Sequence, residues 1–136
     1  MATITATAAT SEARSGLGIT SRTVKYSVTS VTAADVLQMI PVQTGTTVLD
    51  VKVSGTNDGG AIVCGLSVGD GNDPNRFITV SSASAAVPVI GINSAAGGLD
   101  YTYTADDTID ITFDSVSVGS GTATEILLSV IYTMDK

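Results

Sequence analysis

The chain has 136 residues, enough for one domain whose core needs neither disulfides nor a metal to hold it together. Six Lys plus Arg against thirteen Asp plus Glu leave a formal charge of −7, and Arg14, Arg22, Lys25, Lys52, Arg76 and Lys136 are scattered, so no basic stripe exists to grip a phosphate backbone. Histidine is absent and cysteine occurs once, which removes His-dependent triads and general bases, the commonest transition-metal ligand and any internal disulfide.

In chain order, residues 1–21 are built mainly from Ala, Thr, Ser and Gly and cannot bury enough surface to order themselves, so they are expected to form an extended N-terminal arm. The start, Met-Ala-Thr-Ile-Thr-Ala-Thr-Ala-Ala-Thr, lacks the positive and apolar regions of a signal peptide, and no window is apolar for the roughly 18 residues of a membrane span. Synthesis in a cytoplasm, without secretion or membrane insertion, is therefore expected. A sandwich domain, 22–136, begins where period-two alternation begins, with Val24, Tyr26 and Val28 on one face. Thr32 to Asp35 reads as a turn. Val36 to Val42 is an apolar strand in which Pro41 marks a terminus or edge. Thr47 to Ser54 places Leu49, Val51 and Val53 inward and Asp50 and Lys52 outward, and Asn57-Asp-Gly-Gly60 predicts a tight hairpin into Ala61 to Val68.

The stretch Gly69-Asp-Gly-Asn-Asp-Pro-Asn-Arg76 is a loop, followed by a short strand over Phe77 to Val80, and Ser81 to Ala86 reads equally as loop or helical turn. Val87 to Ile92 is a brief apolar run and Gly97-Gly98 a turn. Leu99 to Phe113 alternates cleanly apart from Ala105-Asp106-Asp107, and reads as a hairpin with Leu99, Tyr101, Tyr103, Ile109, Ile111 and Phe113 on the packed face. Gly119-Ser-Gly121 turns into a last strand carrying Ile126, Leu128, Val130 and Tyr132 on one face and Leu127 and Ile131 on the other, so it is expected at the centre of a sheet. Eight or nine short strands without a helical period predict an all-β, single-domain antiparallel sandwich, with a jelly roll favoured over an immunoglobulin-like topology because the Cys, Trp, Cys signature is missing.

Chemistry is sparse. Cys64 lies in phase with core residues and has no basic neighbour in sequence to activate it, so it reads as core filler. A glycosidase cleft needs placed carboxylates and usually aromatic walls, and the chain has only two Phe, four Tyr and no Trp. Asp70, Asn72 and Asp73 are the one candidate cation site, but Pro74 and Asn75 stand where a calcium loop wants a ligand and a glycine, and Asp and Asn beside Gly and Pro are ordinary turn residues. At Asp106-Asp107 a carboxylate capping the turn into Thr108 is the economical reading. No catalytic, metal or cofactor site is expected. Charged residues are only 14% of the chain, so the polar surface is mainly uncharged Thr, Ser, Gly and Asn, a surface suited to lying against neighbours.

Several stretches together, Asp35-Val-Leu-Gln-Met-Ile-Pro41, Thr47-Val-Leu-Asp-Val51, Val68 to Ile78, Tyr101 to Ile111 and Leu128-Ser-Val-Ile-Tyr-Thr-Met-Asp135, resemble the small head decoration, or cement, proteins of tailed bacteriophages. The resemblance implies a virion structural protein on the outer capsid surface, made in the host cytoplasm, with the major capsid protein and copies of itself (dimer or trimer) as partners and neither nucleic acid nor membrane bound. It implies bridging of neighbouring capsomers. Residues Thr3, Ile4, Thr5, Ala6 and Thr7 of the arm are the candidate capsid or subunit contacts, because an extended segment can pair its backbone with an exposed strand edge. Two other assemblies fit the composition: a carbohydrate-binding fibre or spike module, which needs exposed aromatics on one sheet face, and a self-assembling subunit that donates its arm to the next copy.

Overall fold

The computed structural model describes residues 3–5, 13–14, 18–28, 32–57, 62–83, 90–92, 98–118 and 124–134. Their strands form two facing sheets. The first contains, side by side in this order, β1 (Thr3–Thr5), β4 (Val36–Val42), β10 (Asp107–Val118), β6 (Ile62–Gly69) and β7 (Ile78–Ala83). The second contains β2 (Ala13–Arg14), β3 (Ile19–Val28), β11 (Thr124–Met134), β5 (Thr46–Asn57) and β8 (Ile90–Gly91), with β9 (Tyr101–Thr102) also paired to β5. Every ladder is antiparallel except β1 on β4.

With β1 and β2 set aside and β8 and β9 counted as one interrupted strand along β5, the remaining strands number eight in chain order. The first, eighth, third and sixth make one sheet and the second, seventh, fourth and fifth the other, which is the jelly-roll arrangement. From β3 onward the chain crosses to the opposite sheet at each connection except β6 to β7 and the break between β8 and β9. The core lies between the sheets: Leu37, Leu66, Val68, Ile109, Ile111 and Phe113 from the first meet Val24, Val51, Val53, Ile126, Leu128 and Val130 from the second. Burying a large aliphatic or aromatic side chain contributes about 1.5–3 kcal/mol, so this layer is the main source of stability.

β11 occupies the centre of its sheet, hydrogen-bonded along its length to β3 and β5, as its two-sided apolar pattern predicts. Pro41 is exposed at a point on β4 beyond the pairs made with β1, opposite Thr108 of β10, so on the β1 side its missing N–H removes no ladder bond.

Two expected hairpins are absent. β5 and β6 belong to different sheets and do not pair with each other, so they form no hairpin; residues 58–61 lie outside the described set. Leu99 to Phe113 likewise splits: β9 joins β5, whereas β10 sits between β4 and β6. Alternation reports which face is buried but not which strand lies alongside, and in a jelly roll the sequence neighbour is usually in the other sheet. Leu99, expected inside, is 67% exposed beside Asp100, which has a φ of 57°.

The inward positions of β5 are Val48, Val51 and Val53 rather than Leu49, which is only half-buried. Tyr132 pairs with Val48 and Ile131 with Asp50, so Leu49 is a bulge residue that shifts the alternation by one. A second bulge at Met39, between the Ile109–Ile40 and Asp110–Gln38 pairs, lets Met39 and Ile40 both reach the core. β7 continues through Ala83, so Ser81 to Ala83 is strand rather than turn. β3 starts at Ile19, three residues before Arg22, and β1 and β2 place parts of the expected arm at the edges of the two sheets.

Candidate functional site

The most elaborately built feature is the loop joining β6 to β7. Gly69 ends β6 with Asp73 and Pro74 folded back onto it, leaving no room for a Cβ. The Asp70 carboxylate then turns inward: Oδ1 accepts the N–H groups of Asn72 (3.1 Å) and Asp73 (2.9 Å), and Oδ2 accepts Arg76 Nε at 2.6 Å. Backbone bonds from Asp70 and Arg76 to the Asp73 carbonyl, and from Phe77 to the Val68 carbonyl, close the loop and drop the fully buried Phe77 ring into the core. Burial disfavours a charged Asp70, but the Arg76 bond and charge and the N–H donors outweigh it and hold its pKa below the usual carboxylate value.

Arg76 carries the loop onward. Its guanidinium lies 3.8 Å from the centroid of the Tyr101 ring, and Tyr101 in turn meets Tyr103 edge to face at 5.0 Å. The Tyr103 hydroxyl is buried beside Asp70, close enough to feel its charge yet outside hydrogen-bond geometry; burial first, and then that charge, push the phenol pKa up. Cation–π contact, ion pair and edge contact thus form one chain from β6 to β9, linking the two sheets at one end of the sandwich.

Of Asp70, Asn72 and Asp73, the two carboxylates both face the Arg76 guanidinium, at 2.6 and 4.0 Å. Both Asp70 oxygens are occupied, Asn72 is exposed, and among the described residues no group of three or more Asp, Glu, Cys or His is arranged to hold a metal ion. Asp107 makes the expected contact with Thr108, its Oδ1 accepting that N–H at 2.8 Å. Asp106 reaches elsewhere, accepting the Thr44 N–H at 2.9 Å and so clamping the β4–β5 turn, where Gly45 has a φ of 88°. Of the arm candidates, Thr3, Ile4 and Thr5 form β1 against Val36, Leu37 and Gln38, whereas Ala6 and Thr7 lie outside the described residues. The Cys64 backbone lies in β6; its side chain is outside the described set.

The six aromatic residues all pack inward. Phe77, Phe113, Tyr103 and Tyr132 are buried, and Tyr26 and Tyr101 lie partly buried against the core. The outer face of the β3-β11-β5 layer carries hydroxyls and small charge pairs: Thr23 with Ser129 at 3.0 Å, Lys25 with Glu125 at 2.8 Å, and Lys52 with Asp50 at 3.5 Å. Leu127 and Ile131 sit half-buried among them, and Ile19 is 43% exposed. Sequence reading missed the inward turn of Asp70 and its pairing with Arg76; the signal available was the six-residue spacing of an Asp and an Arg across a Gly/Asn/Pro loop.

No protein-family model matches the chain, and no curated protein matches it. Solved structures do. A chain of the capsid of Ralstonia phage GP4 is similar over 98% of this chain and 99% of its own, with a TM-score of 0.70 at 13% identity. A chain of the cyanophage Pam1 capsid asymmetric unit is similar over 94% of each, with a TM-score of 0.72 at 20% identity. A chain of the acid-stable capsid of Helicobacter pylori bacteriophage KHP30 is similar over 93% of this chain and 94% of its own, with a TM-score of 0.63 at 16% identity. At these identities the likeness establishes a shared β-sandwich fold.

Proposed function

We propose that the protein is a bacteriophage head decoration protein: a virion structural subunit that sits on the outer capsid surface, contacts the major capsid protein and further copies of itself, and bridges neighbouring capsomers. The observation that carries this reading is the end-to-end likeness, in both directions, to chains from three phage capsids. Each matched chain is therefore of about this chain's own size, as a small accessory subunit would be. A formal charge of −7 favours a place away from the packaged DNA, and a hydroxyl-rich face with few charges costs little to desolvate against a shell. The inward packing of all six aromatics leaves no ring platform for a sugar, which disfavours the carbohydrate-binding alternative.

Purified protein added to phage capsids that lack it is expected to bind and to raise their melting temperature, because a bridge between capsomers contributes free energy only in the assembled state. Calorimetry of shells with and without it checks this, and identical melting refutes bridging.

Residues Thr3 to Thr7 are assigned to capsid or subunit contact within that reading. Among the described residues that precede β3, β1 and β2 make three and two residue pairs with the sandwich. Deleting residues 2–17 keeps all of β3, so the sandwich is expected to fold while capsid occupancy falls more than about tenfold, or roughly 1.4 kcal/mol. Titration onto shells, paired with thermal unfolding of the truncated protein, measures both. Unchanged occupancy makes the arm only an edge cover for β3 and β4.

A further inference from the structure

Asp110 stands where strand alternation calls for a solvent-facing residue, between Thr108 and Thr112, yet it is 5% exposed. Its register neighbours are Gly69 on β6, which offers no side chain, and Gln38 on β4, which is uncharged. The charged groups nearest it are Asp107 on its own strand and Asp70 from the β6–β7 loop, both carboxylates. The nearby cation, Arg76, is engaged with Asp70, Asp73 and the Tyr101 ring. Asp110 Oδ1 has no hydrogen-bond partner among the described residues, and the Thr108 side chain offers the carboxyl a single bond. A carboxylate there is buried, short of donors and flanked by like charge.

We propose that Asp110 is a proton-binding site built into the sandwich, whose protonation in mildly acidic solution relieves a buried charge and makes the folded subunit more stable. A protonated carboxyl turns Oδ1 or its companion into a donor and removes the repulsion from Asp107 and Asp70. Burial, the largest effect, pushes the Asp110 pKa up to about 6; the Thr108 bond, next in size, pulls it down, and the Asp107 and Asp70 charges push it up again. The sign follows from linkage: a carboxyl whose folded pKa lies above its unfolded value penalises folding in full above about 6, and the penalty disappears as pH falls toward the ordinary aspartate value of 3.8. Asp70 works in the opposite sense and only at lower pH, because its folded pKa lies below 3.8. The window between roughly pH 4 and 6.5 therefore belongs to Asp110.

Lowering pH also reduces the net negative charge, so the informative quantity is the difference between wild type and Asp110→Asn. The melting temperature of the variant relative to wild type is expected to fall by about 5 °C between pH 7.5 and pH 4.5, as wild type gains what the variant cannot. A difference that stays constant across this range overturns the proposal. Carbon-13 titration of the Asp110 carboxyl in the unmodified protein is a second measurement that does not depend on the variant folding: a midpoint near 6 supports the site, and one below about 4 overturns it.

Discussion

Replacing Asp70 with alanine is expected to lower the melting temperature of the isolated protein by about 10–20 °C at pH 7, corresponding to roughly 3–5 kcal/mol. The Asp70 side chain is 1% exposed and that of Arg76 13%, so the substitution leaves a guanidinium with little access to water and only the Asp73 carboxylate, 4.0 Å away, as counter-charge. The N–H groups of Asn72 and Asp73 lose their acceptor at the same time. Exposed ion pairs, by contrast, contribute about 0–1 kcal/mol, and a shift below about 2 °C would place this pair among them. Asp70→Ala with Arg76→Met is expected to recover part of the loss, since the stranded charge is then gone. The penalty of the single change should persist from pH 7 to about pH 5. A carboxylate with a lowered folded pKa gives its stability above the unfolded value and loses it only as pH falls through the folded one.

Much of the fold was legible because a two-residue period leaves one reading for each face. Ile109, Ile111 and Phe113, and Ile126, Leu128, Val130 and Tyr132, are all buried as their spacing requires. Strand partnership was not legible at Asn57 to Gly60 or at Ala105 to Asp107, because a turn-forming cluster has the same composition whether the chain doubles back or passes to the facing sheet. Bulges were hidden for a related reason: Leu49 and Met39 are apolar, and only the register of the neighbouring strand reveals that one residue has been inserted. The burial of Asp110 escaped notice because alternation assigns a face but not what lies over it. The Asp70 loop was recognisable as a loop, whereas the direction of its carboxylate depends on Arg76 six residues on and on Tyr101 from the other sheet.

The same loop is expected to be intolerant of a single methyl group at two glycines. A Cβ on Gly69 would lie 2.0 Å from the Asp73 carbonyl oxygen and 2.4 Å from the Pro74 carbonyl carbon, both backbone atoms fixed by the turn that Asp70 organises. A Cβ on Gly98 would lie 2.3 Å from the Arg76 carbonyl oxygen and 2.8 Å from Phe77 Cδ1, where the end of the loop is pressed against the chain leading into β9. Neither clash is with the free end of a flexible side chain, so relief requires moving the loop and with it Phe77, which is fully buried. Gly69→Ala and Gly98→Ala are each expected to cost about 3 kcal/mol or more, at or beyond the upper end of ordinary overpacking. Gly71→Ala supplies the comparison. Its Cβ would meet only the Asp107 carboxylate, at 3.3 Å or more, from an exposed position in the same loop, and is expected to cost about 1 kcal/mol or less. Urea unfolding of the three variants side by side measures the contrast; equal midpoints for Gly69→Ala and Gly71→Ala would mean that the loop shifts freely and does not pin Phe77 into the core.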